Sequence, residues 1–343
     1  MEYINDINIQ EAVINVLDNN GAEPILNEFT LELTEDTYKF LYKHIEKCLK
    51  DEELKTAVFN PERNIVREIT KDYLNGMDKD FIELSKELSK QLFSIMKCNC
   101  NIPSCDFITV SLITDIGPLI GILKMDYVNT FTHQIDIFDN KIAVGLLKHG
   151  LTLPGSSQKI QKAAFVKPTR EKAKCDLYIL DKIKNVKSDD EYGINYWTNS
   201  FLNSCIVTNE RDNTKVFMRA SETWIRNNLI EDAEKAEKIR REIKEKLVAE
   251  DNINVEEVAE NLLGPGQKED YRMFMARNCD EEFTIDKKYV EKKLKRVRLK
   301  IDKDIDLYIN QEAYKDASKF EIQRNGDGSI NMIIKNVVNY IEK

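Results

Sequence analysis

The sequence predicts an α+β fold: a mostly antiparallel sheet with amphipathic helices packed on it, then a helical segment and a C-terminal β-meander. Three observations carry that prediction. Strand-length apolar runs recur through the first 180 residues, above all in FITVSLITDIGPLIGILKMDYV. Three stretches between Thr34 and Lys97 instead repeat their apolar residues at helical spacing. The pattern turns helical again after Asn195 and returns to two-residue alternation after Lys295.

Taken in order, Ile7, Ile9, Val13, Ile14 and Val16 suit a strand, Asn19-Asn20-Gly21 a turn, and Leu26 to Leu33 a second strand. Thr34 is placed to cap a helix whose first turn holds Glu35 and Asp36, with Phe40, Leu41, Ile45 and Leu49 on one face. A second helix is expected to start at Asn60-Pro61 and end at Gly76; a third runs from Asp80 to Lys97 with Leu84, Leu88 and Leu92 in register. Further strands are expected at 134–137, 142–144, 162–166 and 176–180. Helices follow at 196–206, 214–229, 231–249 and 254–263, closed by the turn Gly264-Pro265-Gly266. Asn325-Gly326-Asp327-Gly328 is a hairpin turn between two of the last strands. The pattern divides the chain into an N-terminal α+β domain, 1–207, and a C-terminal helical segment plus meander, 208–343.

The net charge is −9, which speaks against a general polyanion binder. The charge is uneven, however. Residues 1–60 hold 13 Asp/Glu against 5 Lys/Arg; residues 151–187 hold 9 Lys/Arg against 3 Asp/Glu; residues 287–300 hold 8 Lys/Arg against one Glu. Two basic segments in an acidic chain point to a local phosphate-facing surface. The candidates are Lys159, Lys162, Lys167, Arg170, Lys172 and Lys174 from the first, and Lys292, Lys293, Lys295, Arg296, Arg298 and Lys300 from the second. Strand alternation aims Arg296, Arg298 and Lys300 to one side and Val297, Leu299 and Ile301 to the other. The competing reading of such a row is an edge strand charged against aggregation.

Chemistry-bearing motifs are few. Cys98, Cys100 and Cys105 lack a fourth zinc ligand at a suitable spacing. His44, His133 and His149 sit beside no nucleophile motif, and His44 is expected on an exposed helix face. No phosphate-cradling glycine loop occurs, so no cofactor is expected. Asp115 followed by Ile122-Leu123-Lys124 has the outline of a metal-dependent nuclease core, but an isoleucine stands where a carboxylate is needed. The start MEYINDINIQ has no signal-peptide pattern, and seven cysteines in a long chain fit a reducing, cytoplasmic setting without membrane attachment.

Several segments together resemble a bacterial nucleoid-associated protein family (NdpA/YejK-like). They are INIQEAVINVLDNNGAEPILNEFTLELTEDTYKFLYKHIEKCL, FITVSLITDIGPLIGILKMDYV, LPGSSQKIQKAAFV, DLYILDK, YWTNSFLNSCIV and TKVFMRASETWI, in that order. The resemblance implies a non-catalytic protein of the cytoplasm and nucleoid, a homodimer, and partners that include double-stranded DNA and type II topoisomerases or other DNA-handling proteins. The reading is therefore duplex DNA binding without sequence specificity. An adaptor whose acidic N-terminal region docks on a DNA-handling protein is the alternative, and a metal-dependent nuclease the minor one.

Overall fold

The computed structural model describes residues 3–77, 80–168, 174–182, 196–301, 304–339 and 341. The chain forms two compact units, Glu2–Val207 and Thr208–Lys343. Both combine helix and antiparallel strand, an α+β fold.

The first unit is built on a seven-stranded antiparallel sheet. Its strands are β1 (Ile7–Leu17), β2 (Lys55–Phe59), β3 (Cys105–Thr114), β4 (Gly117–Asp126), β7 (Lys162–Val166), β8 (Leu177–Asp181) and β9 (Ser204–Val207), in the order β1-β3-β4-β7-β8-β2-β9. Residues 119–125 of β4 and all of β7 are buried at consecutive positions, so the middle of the sheet is covered on both faces. One face carries Phe107, Ile120, Ile122, Ala164 and Ile179 against α3 (Phe81–Cys98) and α2 (Ile65–Leu74). Gly121, on the other face, has no room for a larger residue: a Cβ there would lie 2.5 Å from Val110 Cγ2 and 3.3 Å from Phe165.

Local chemistry sets the helix ends. Thr34 caps α1 (Glu35–Leu49), Asn64 caps α2 and Asp80 caps α3, each by accepting a bond from a backbone N–H three residues on. A buried polar network then fixes α3 to the sheet. The Asn15 amide donates to Ser85 Oγ (2.9 Å) and Ser89 Oγ (2.8 Å), Ser85 donates to Thr109 (3.2 Å), and Asn15 Oδ1 accepts from the Asn27 N–H (2.8 Å).

Between β4 and β7 the chain makes a long hairpin, β5 (Val128–Phe138) and β6 (Lys141–Thr152), separate from the main sheet. Asp139 and Asn140 both take positive φ at its tip, as a two-residue hairpin turn of matching twist requires.

The second unit packs α4 (Glu210–Asn228), α5 (Ala233–Ala249), α6 (Val255–Leu262), α7 (Pro265–Ala276) and α8 (Lys287–Leu294) around one apolar cluster with the short pair β10 (Asn252–Asn254) and β11 (Glu282–Thr284). Trp224 stands edge-on to Tyr271, whose hydroxyl bonds Ser221 (2.8 Å). Two hairpins follow. One is β12 (Arg296–Ile301) with β13 (Ile305–Asn310). After the short helix α9 (Gln311–Lys315) comes the other, β14 (Phe320–Arg324) with β15 (Ile330–Ile334).

Several expectations are corrected. Residues 26–33 form no strand; the segment runs beside β1 with isolated bonds, Asn27 N–H to Asn15 Oδ1 (2.8 Å) and Leu31 N–H to the Ala12 carbonyl (2.7 Å), next to the single bridge Val16–Ile25. The second helix starts at Ile65 rather than Pro61. Residues 196–206 hold one π-helical turn, Tyr196–Phe201, before β9. Gly264-Pro265-Gly266 follows the end of α6 as expected, but it opens α7 directly, with Pro265 at its first turn, and so marks no boundary in the C-terminal half. Among the described residues the last strands make two separate pairs instead of one meander.

Candidate nucleic-acid interface

The basic residues of the second segment gather on one ribbon. α8 ends in Lys292 and Lys293, Lys295 caps it, and β12 follows at once. The register pairs Arg296 with Asn310, Arg298 with Tyr308 and Lys300 with Asp306 on one side of the hairpin, and Val297 with Ile309 and Leu299 with Leu307 on the other. Val297 is buried and Leu299 and Ile301 partly so, while Arg296, Arg298 and Lys300 are exposed. Alternation has therefore turned a strand of mixed composition into a cationic outer face.

The electrostatics of that face are mostly uncompensated. Among the described residues no carboxylate pairs with Lys292, Lys295, Arg296 or Lys300. Arg298 approaches Asp306 at 3.4 Å, and its guanidinium lies over the Tyr308 ring, 5.1 Å from the centroid. Lys293 lies 5.9 Å from the Tyr289 centroid. A flat guanidinium held over an exposed ring keeps its outward N–H groups for an incoming acceptor.

The first basic segment is spread over different environments. Lys162, in β7, is buried: its ammonium is bonded to Asp181 and stands 5.4 Å from the Tyr196 centroid. Strand position, not charge, put it there. It is the cross-strand neighbour of Lys124 and Asp181, and Lys124 in turn is buried against Asp126 and the Pro103 carbonyl. Lys159 is exposed but lies 3.5 Å from Asp51, which also binds Lys182 at 2.6 Å. Burial would raise the Asp51 carboxyl; the bonds from Lys182 and the Glu53 N–H, and the nearby Lys159, hold it below its ordinary value. Lys167 is half-buried over the Tyr178 ring, and Lys174 is exposed. Arg170 and Lys172 lie outside the described residues.

The other candidates separate. Cys98 and Cys100 are exposed at the end of α3, while Cys105 is buried in β3, its thiol pushed up to about 12 by burial. Among the described residues no group of three His, Cys, Asp or Glu is placed to hold a metal. Asp115 sits in the β3–β4 turn, bonded to the Asn5 N–H at 3.2 Å. From that turn to Lys124 the extended strand advances about 23 Å, so the nuclease outline is not assembled. His44 is buried, not exposed; its Nε2 contacts the Pro154 carbonyl at 3.1 Å, and Lys47 donates to the Ser156 carbonyl at 2.6 Å. Those two bonds fasten the Leu153-Pro154-Gly155 loop to α1. Burial lowers the His44 pKa, the Pro154 contact opposing it.

The model of the family described as nucleoid-associated protein YejK matches residues 13–342 of this chain. The chain belongs to the nucleoid-associated protein YejK family. The match runs through both units. No curated protein matches the chain. No helix among the described residues is long and apolar enough to cross a membrane.

Proposed function

We propose that this family member binds double-stranded DNA through backbone phosphates and without sequence readout, using the outer face of the β12–β13 ribbon and the lysines at the end of α8. The row Arg296, Arg298 and Lys300 on one exposed side of a strand carries the reading. Successive members of the row are spaced about 6.6 Å along the strand, a comb suited to repeated phosphates. Lysines reach phosphate as point charges, and the arginines add paired donors. Base-edge contacts would need side chains placed in a groove, and the ribbon's outward face offers none that match a base code beyond its arginines.

The test is a gel-shift series on a random duplex with purified full-length protein across a range of salt. Binding weakens steeply with salt and is indifferent to sequence if the reading holds. Salt-independent binding, or a preference for one sequence that survives competitor DNA, refutes it.

A second reading has its own observation. Leading into the first turn of α1, the segment 23–36 exposes Glu23, Glu28, Glu32, Glu35 and Asp36 beside two bare apolar side chains, Ile25 (68% exposed) and Phe29 (75%). Acidic residues around exposed apolar anchors suit a basic protein partner such as a type II topoisomerase or another DNA-handling protein. Pull-down from nuclease-treated extract separates the two. Partners that survive nuclease, and are lost on Phe29→Ala, favour the adaptor; loss of all partners with DNA favours direct binding.

A further inference from the structure

The outer face of the β12–β13 ribbon is cationic along one strand only. β12 supplies Arg296, Arg298 and Lys300; opposite them β13 sets Asn310, Tyr308 and Asp306. Tyr308 is thus the middle residue of its row, across from the middle cation, and it is 66% exposed. Every other aromatic side chain among the described residues of the second unit is buried or half-buried. A single exposed ring needs no explanation in general. This one stands at the centre of a phosphate-facing comb, with the Arg298 guanidinium over it, 5.1 Å from the centroid.

The two rows suit the two parts of a nucleotide. Neighbouring strands lie about 4.8 Å apart, so the ring is set one strand's width to the side of the cations. A nucleic-acid strand whose phosphates follow β12 carries its bases to one side, and on the β13 side Tyr308 is the ring they meet. In closed duplex the bases are paired and stacked on one another, so none has a face free for a flat ribbon. An unpaired base has one.

We infer that Tyr308 is a stacking platform for an unpaired base, so that the ribbon holds locally opened DNA more tightly than closed duplex. The inference rests on the phosphate-facing reading of the ribbon and adds the preferred form of DNA to it. Arg298 takes one face of the ring and the base takes the other. Such stacking needs no sequence readout, because every base has a π-face. Charge alone would favour the opposite form: counterion release gives a slope of about −0.9 per contact on duplex and about −0.7 on single strands. A preference for the open form therefore has to come from the bases.

Fluorescence anisotropy with the full-length protein tests it, on two labelled duplexes of equal length, one closed and one with a central run of mismatched pairs. Both carry the same phosphates. The unaltered protein is expected to bind the open duplex about tenfold more tightly, as one stacked base allows. Tyr308→Ala is expected to bring the two affinities together. Tyr308→Leu, which keeps apolar bulk without a ring, is expected to do the same, and Tyr308→Phe to keep the affinities apart. The ratio is the readout, because a lost fold or lost cations would weaken both DNAs alike. Equal affinities in the unaltered protein overturn the stacking, and so does a preference that survives Tyr308→Ala or Tyr308→Leu or vanishes in Tyr308→Phe; salt-dependent binding to closed duplex then leaves the phosphate reading standing. Failure to bind either DNA at low salt overturns the phosphate reading and this inference with it.

Discussion

Reversing two charges on the ribbon, Arg296→Glu with Arg298→Glu, tests the DNA-binding face most sharply. Six cations are in play: Lys292, Lys293, Lys295, Arg296, Arg298 and Lys300, all exposed. If each meets one phosphate, log K falls with log salt at a slope of about −5, from roughly −0.9 per contact. Raising salt fourfold, from about 50 to about 200 mM, then weakens binding on the order of 2,000-fold. Without the two arginines the slope drops to about −3.6, and the same salt change costs only about 150-fold. The fold should not suffer. Arg298 and Asp306 are 62% and 46% exposed, and a pair that open contributes about 0–1 kcal/mol. Fluorescence anisotropy on a labelled random duplex across the salt range gives the slope, and thermal unfolding gives the control. An unchanged slope in a folded variant removes this ribbon from the interface.

Asp306→Asn releases Arg298 from the carboxylate it meets at 3.4 Å and should tighten duplex binding roughly two- to fivefold, as loss of an exposed pair worth up to about 1 kcal/mol allows; weaker binding in the same anisotropy assay would contradict the phosphate-facing assignment. Lys162→Ala should cost about 3 kcal/mol by leaving Asp181 without its ammonium, measured by urea unfolding, while the salt slope of DNA binding stays put; the reverse pattern would return Lys162 to the interface. Gly121→Ala forces a methyl against Val110 and Phe165 and should destabilise by about 1–3 kcal/mol, and an unchanged unfolding midpoint would show that the sheet yields there. His44 is held neutral by burial, so the unfolded chain takes up its proton first as pH falls. Its contribution is therefore complete above about pH 6.5 and is lost progressively below it. Urea midpoints of the parent chain should drop over that window more than those of His44→Gln, and parallel curves would refute the assignment.

The central strands β3, β4, β7 and β8 were legible because they are apolar runs, and α1 because Thr34 announces its start; β2, five residues between helices, was not legible, and β9 falls in a stretch whose composition suggested helix. α2 was placed too early because Asn60-Pro61 looks like a start, whereas Asn64 supplies the cap, its side chain accepting from the Arg67 N–H at 2.9 Å. Residues 26–33 have strand composition and run beside the edge strand β1, but bond it too sparsely to make a ladder. Composition gives pleated propensity; pairing is decided by tertiary context. His44 misled because its neighbours on α1 are charged, and only the fold brings the Pro154 loop over it. In the basic segments the same distinction decides the site. Arg296, Arg298 and Lys300 alternate with apolar residues, so a single register reveals their face. Lys162 lies in a run, Lys162-Ala163-Ala164-Phe165-Val166, with no such alternation, and its burial depends on Asp181 arriving from the next strand.

The net charge of −9 does not oppose a DNA-facing ribbon, because phosphates respond to local potential rather than to the sum over a chain. At physiological ionic strength charges are screened over about 8 Å. β12 alone, six residues long, extends about 20 Å, so a duplex lying along it feels the cations of that strand before it feels more distant carboxylates. Beside it stand Asp306, already engaged with Arg298, Asp304 in the connection to β13, and Glu291 on α8. On the proposed reading an acidic balance has a use: it would weaken attachment of DNA to the acidic surfaces, such as residues 1–60, and leave binding to the ribbon readily reversed by salt. A uniformly basic protein would coat the duplex; this distribution of charge would favour contact at local basic patches.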